Sequence, residues 1–128
     1  MVRIKNPTAI QNKKRMSVRV PLGMIARIEV NLLMSGYNKK QRFFWFEDVI
    51  NELFLTPDYH NLVAEEFITA GTTKVVTLSI SNETYKKVEA TVSEVLEIEK
   101  YNTDKSSIIR TAIIQRLLKT TEHLVKGI

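Results

Sequence analysis

In the stretch "RMSVRV", residues 15 to 20, Arg15, Ser17 and Arg19 alternate with Met16, Val18 and Val20. A period of two is the mark of a strand with one apolar and one polar face. The polar face carries two guanidinium groups and a hydroxyl. Each guanidinium is a permanently charged, planar fork of donors, suited to a carboxylate, a phosphate or the O6/N7 edge of guanine. A second stretch, "KVVTLSIS" at 74 to 81, alternates Val76, Leu78 and Ile80 with Val75, Thr77, Ser79 and Ser81. Its polar face offers hydroxyls and one valine. The sequence holds no Ser-His-Asp set, cysteine nucleophile, glycine-rich phosphate loop or metal-ligand cluster, so we expect no enzymatic activity, no cofactor, no metal site and no small-molecule substrate.

Both stretches are followed by the same elements. After the first, Pro21 is placed to end a strand and open a helix in which Met24, Ile25, Ile28, Leu32 and Leu33 recur at helical spacing. Gly36 is a C-terminal stop, and Asn38 or a near neighbour caps the next helix. That helix, "KKQRFFWFEDVINELF", puts Phe43, Phe46, Val49, Ile50 and Leu53 on one side. Pro57 ends the unit. After the second stretch, Ser81 or Asn82 caps a helix striped by Tyr85, Val88, Val92, Val95 and Leu96. Asp104 then caps a helix striped by Ile108, Ile109, Ala112, Ile113 and Leu117. Strand, helix, helix occurs twice, and Ser17 aligned on Thr77 gives a repeat of about 60 residues.

Each unit offers one strand and no second strand to pair with it, and a two-stranded ribbon is marginal unless packed on helices. Pairing the two strands antiparallel across a pseudo-twofold axis solves both problems. Met16, Val18, Val20, Val76, Leu78 and Ile80 then face a core closed by the helices. Arg15, Ser17, Arg19, Val75, Thr77 and Ser79 then face outward. The expected fold is mostly α with a two-stranded antiparallel ribbon. Its parts are a basic arm (1–12), a first unit (13–56), a connector (57–73), a second unit (74–120) and a tail (121–128), with both units forming one intertwined domain. Tyr59, Phe67 and Ile68 of the connector are expected to cover the core, and Glu65, Glu66, Glu94, Glu97 and Glu99 to be solvated.

The net charge of +5 belongs wholly to the first half. Residues 1 to 64 hold ten Lys or Arg against five acids, and residues 65 to 128 hold nine of each. A concentrated basic segment beside a patterned strand points to a polyanion partner. No run approaches the ~18 apolar residues of a membrane span. Neither a secretory signal nor a disulfide is expected, so the expected compartment is the cytoplasm, with no membrane partner.

With those residues in view, the chain resembles a ribbon-helix-helix protein of the MetJ/Arc class present as two copies in one chain, an intramolecular pseudo-dimer. The most specific piece is "DKSSIIRTAI", residues 104 to 113, similar to the family's second-helix signature. "VVTLSISNETYKKVE" matches the strand-to-helix entry. "NKKQRFFWFEDVI" departs from the signature, lacks its serine, and aligns with either Phe43 or Phe46 in the place of Ile109. Single-chain tandem versions resemble accessory proteins of plasmid transfer origins and some viral and archaeal regulators.

In that family the outward ribbon face enters the DNA major groove, and the residues lead there independently, since a two-stranded ribbon fits the groove. Arg15 and Arg19 suit guanine, Ser17, Thr77 and Ser79 suit several bases, and Val75 suits a thymine methyl. Because the two strands differ, the expected site is directional and not palindromic. Phosphate contacts are expected from the second-helix N-termini, through Lys105 and Ser106 and their counterparts Lys39 and Lys40. Lys13, Lys14 and Lys74 flank the strands as further candidates. Four successive aromatics, residues 43 to 46, cannot share one helix face; two are expected in the core, with Phe44 or Trp45 peripheral and available for self-association. The expected function is sequence-specific binding of double-stranded DNA by a transcriptional regulator acting as a repressor. The alternatives are a relaxosome accessory protein at a plasmid transfer origin and an antitoxin-like protein-interaction module.

Overall fold

The computed structural model describes residues 13–64 and 72–126, with side chains to residue 119. Two nine-residue strands, β1 (Lys13–Pro21) and β2 (Thr73–Ser81), form one antiparallel ribbon. Around it lie five helices among the described residues: α1 (Met24–Met34), α2 (Arg42–Leu55), α3 (Tyr59–Ala64), α4 (Asn82–Glu99) and α5 (Lys105–Lys126), with a short 3-10 turn (Lys39–Gln41) before α2. The register puts Ser17 opposite Thr77, the two residues that the 60-residue repeat aligns.

Alternation decides the ribbon's two faces. Val18, Val20, Val76, Leu78 and Ile80 are buried, and Met16 packs half-buried against the same cluster. That cluster is shared by both halves of the chain, joining Ile28, Leu32, Trp45, Phe46, Val49, Ile50 and Leu53 to Val88, Val95, Ile108, Ile109, Ala112, Ile113 and Leu117. Packing also crosses over, since α2 lies on β2, α5 lies on β1, and α2 and α5 pack on each other.

The helix ends follow local chemistry. Ser81 Oγ accepts from the Thr84 amide at 3.1 Å, and Asp104 Oδ1 accepts from the Ser107 amide at 2.8 Å, satisfying donors that a helix start leaves over. Asn38 and Gln41 form a reciprocal capping box on the 3-10 turn. Gly36, at φ +92°, takes the left-handed conformation that ends α1, and the Tyr37 amide donates back to the Leu32 carbonyl.

Several expectations are corrected. Pro21 does not open α1 but remains in the strand opposite Thr73, the Leu22 amide donates to the Thr72 carbonyl, and the helix begins three residues later. Leu33 and Leu96 are exposed, while Asn31 and Thr91 are buried on those helices instead. Asn31 is buried because Trp45 is fully buried and its indole N–H needs an acceptor; Nε1 donates to Asn31 Oδ1 at 3.0 Å. Thr91 satisfies its hydroxyl on the Lys87 carbonyl one turn back. Trp45 and Phe46 are the core pair, packed edge to face at 5.0 Å, and Phe44 is the peripheral one, 52% exposed. Trp45, Phe46, Val49 and Ile50 are buried at the spacing of Ile108, Ile109, Ala112 and Ile113, so Phe46 and not Phe43 occupies the place of Ile109.

Residues 57–64, the first part of the connector, carry structure that the sequence pattern does not anticipate. Asp58, at φ 58°, turns the chain, and its carbonyl accepts from the Asn61 and Leu62 amides to start α3. Val63 is fully buried, and Tyr59 packs against the core. Tyr59 Oη donates to Glu94 Oε1 at 3.2 Å, and His60 Nε2 lies 2.8 Å from the same oxygen, so Glu94, exposed as expected, also ties α3 to α4. Phe67, Ile68, Glu65, Glu66 and the 1–12 arm lie outside the described residues. The expected tail is helical as far as Lys126, consistent with a sequence free of glycine and proline between Asp104 and Gly127.

Because the core is shared, damage to one strand must be felt by the whole chain. Val18→Asp buries an unpaired charge and is expected to cost about 3–5 kcal/mol or more, a large part of the stability of a domain this size. Circular dichroism should show loss of helix from both halves together; survival of a folded 74–126 half would contradict a single core.

Candidate nucleic-acid interface

The outward face of the ribbon gathers the six side chains singled out from the sequence into three cross-strand rungs. Arg15 stands opposite Ser79, Ser17 opposite Thr77, and Arg19 opposite Val75. Arg15, Ser17, Arg19, Val75 and Thr77 are exposed and Ser79 is half-buried, so the face is open, bordered by the start of α2 at its Lys13 end. Neither strand contains an acidic residue. The face is a shallow ridge of two long cations among short hydroxyls and one aliphatic side chain. It therefore presents donors, acceptors and an apolar contact in fixed order.

The two arginines are held differently. Arg15 has no ion pair or side-chain hydrogen bond among the described residues. Arg19 Nη1 donates to Thr73 Oγ1 at 3.2 Å, which leans the side chain along its own end of the ribbon. The Arg19 carbonyl accepts from Arg110 Nη1 at 2.8 Å, and Arg110 also donates to Ser107 Oγ, tying the start of α5 to the edge of β1.

The seven lysine and serine candidates are spread over distinct settings. Lys13 is half-buried, with Nζ 4.1 Å from the Phe43 ring centroid, a cation–π contact. Lys14 and Lys74 are exposed, but the register sets them opposite Ile80 and Val20, on the helix side of the ribbon at its two ends. Lys14 Nζ lies 5.8 Å from the Tyr85 ring centroid. Lys39 and Lys40, in the 3-10 turn, are exposed with no ion pair among the described residues. Lys105 opens α5, donates to Tyr85 Oη at 2.7 Å and lies 3.7 Å from the Glu89 carboxylate. The hydrogen bond to Tyr85, with Glu89 beside it, raises the Lys105 pKa above the ordinary lysine value, so its charge persists. Ser106 is half-buried in the same turn.

One end of the ribbon forms a cleft of ≈ 270 Å³ lined by Lys13, Arg15, Arg42, Phe43, Thr77 and Ser79, among others. Arg42 is paired with Glu29 and lies 5.5 Å over the Phe46 ring. This cluster joins Arg15 of β1 to Arg42 of α2, which the sequence leaves 27 positions apart.

Sequence reasoning missed Glu47. From α2 its carboxylate accepts from the Ser81 amide at 2.6 Å, from Ser81 Oγ at 3.2 Å and from Thr84 Oγ1 at 3.0 Å. It thus fixes the exit of β2 and the start of α4, where a negative charge also suits the helix dipole. The clue was slight: an acid in the middle of an apolar run, with no local partner. No protein-family model, curated protein or solved structure matches the chain.

Removing this carboxylate leaves the Ser81 amide without its acceptor. Glu47→Ala is expected to lower stability by about 1–3 kcal/mol, and Glu47→Gln, which keeps acceptor and shape, by less. Urea unfolding followed by the single tryptophan checks it; equal midpoints for wild type and Glu47→Ala would refute the capping role.

Proposed function

We propose that this chain is a tandem ribbon-helix-helix protein, an intramolecular pseudo-dimer that binds double-stranded DNA by sequence, and that it acts as a transcriptional regulator repressing by occupancy of its operator. The observation that carries the reading is the uncovered ribbon face, with Arg15 and Arg19 projecting from a surface free of acids. Three further features support it. The pairing of Ser17 with Thr77 coincides with the internal repeat. The helices pack crosswise on the strands. The net charge is positive and concentrated in the half that contains β1.

In this reading the helix layer serves as a rigid back, and the ribbon enters the major groove, about 12 Å wide. Arg15 and Arg19 donate to guanine O6 and N7, the hydroxyls of Ser17, Thr77 and Ser79 adapt to the bases beneath them, and Val75 meets a thymine methyl. Lys13 at one end, with Lys39 and Lys40 before α2, supplies phosphate contacts that set the protein's position without reading sequence, and Arg42 can add to them only by loosening from Glu29. Lys105 can join them only by loosening from Glu89.

Selection of bound duplexes from a random pool, followed by footprinting, is the direct test, and it should return a defined motif. Arg19→Ala should weaken binding to that motif by about 1–3 kcal/mol while changing random-duplex affinity far less. Equal losses on both would reduce Arg19 to a phosphate contact. For five or six phosphates, log affinity should fall against log salt with a slope of about −5; a slope near zero would contradict a polyanion partner.

A further inference from the structure

We infer that the two arginines read guanines on one and the same DNA strand, about three or four base pairs apart, so that the target has a fixed polarity set by β1. This rests on the groove-binding reading above and adds the arrangement of the bases. The argument starts from the register. An axis through the Ser17–Thr77 rung exchanges the strands, bringing Arg15 onto Val75 and Arg19 onto Ser79. A symmetric reader would carry the same side chain at both members of each pair. Here each pair is one arginine and one short side chain, and both arginines fall on β1.

Each end of the ribbon consequently has one arginine, but in different company. At one end Arg15 faces Ser79; at the other Arg19 faces Val75. A symmetric arrangement would put one arginine on each strand. The strands of a ribbon lie about 4.8 Å apart, so in a groove about 12 Å wide each runs nearer one wall. The O6 and N7 atoms of a guanine sit toward the wall of its own strand. Side chains from β1 thus meet purines of one DNA strand. Arg15 and Arg19 are separated by four residues, about 13 Å at roughly 3.3 Å per residue, which matches about three or four base pairs at roughly 3.4 Å per step.

The two ends also differ in support. The Arg15 end includes the cleft with Lys13 and Arg42, whereas at the Arg19 end the corresponding rung is Pro21 opposite Thr73. The surroundings of the two arginines therefore differ along the same direction as the base-reading side chains, which favours one orientation of the chain on its site.

The experiment uses the full-length chain and a duplex selected from a random pool. Guanine N7 is blocked by dimethyl sulfate before binding, and strands recovered from bound and free fractions are compared. The expected result is interference at guanines of one strand only, in two positions about three or four base pairs apart. Replacing each of these in turn by 7-deazaguanine should weaken wild-type binding about tenfold, the equivalent of ~1.4 kcal/mol. Arg15→Ala should lose about as much on the natural duplex and little more when the guanine it reads is already 7-deazaguanine; Arg19→Ala should behave alike at the other position. Both arginines are exposed, and melting curves identify a variant that fails to fold. Interfering guanines on both strands related by a twofold axis would overturn this inference while leaving groove binding intact. A pool that yields no preferred sequence would overturn both.

Discussion

A two-stranded ribbon has only two faces, and water excluded from one must be met by the other. That constraint organises this chain. Val18, Val20, Val76, Leu78 and Ile80 are useful only if helices close over them, and a single strand of either half has no partner within its own half. The strands therefore pair across the chain, and strict alternation turns Arg15, Ser17, Arg19, Val75 and Thr77 to the solvent. A one-residue slip would bury the arginines. The apolar core and the exposed ridge are thus two consequences of one register.

The helices make that register hard to change. Because α2 lies on β2 and α5 on β1, neither half can be withdrawn without stripping the strand of the other. Glu47 adds a polar tie of the same kind, reaching from α2 to the junction of β2 with α4, and Arg110 reaches from α5 to the β1 carbonyl of Arg19. These bonds lie at the two ends of the ribbon, where fraying would otherwise begin. A rigid backing of this sort keeps long side chains at fixed intervals, which is what an ordered row of base contacts requires.

Much of this was legible in the residues. Alternation identified the strands and their outward side chains, the repeat identified their partnership, and Ser81, Asp104, Asn38 and Gly36 marked helix ends through chemistry that acts within a few residues. What escaped depends on partners distant in the sequence. Asn31 is polar and ordinarily surface-bound, yet it is buried because Trp45, fourteen positions later, needs an acceptor. Leu33 is apolar yet exposed, because among the described residues no other element covers its side of α1. Glu94 reads as one of several acids on an outer face until α3 is seen to lie on it. Among the candidate cations, strand parity separates Lys14 and Lys74 from the arginine face, a distinction that flanking position alone does not make.

The central claim is that the outward ribbon face is the surface that meets the duplex. Backbone amide NMR of the labelled chain, titrated with a selected duplex, tests it most directly. The account predicts that the largest shift changes fall on residues 15–19 and 75–79, with smaller changes around Lys39 and Lys40 and none along α3. Changes centred on α3 or on the exposed side of α1, with the ribbon amides unmoved, would contradict it.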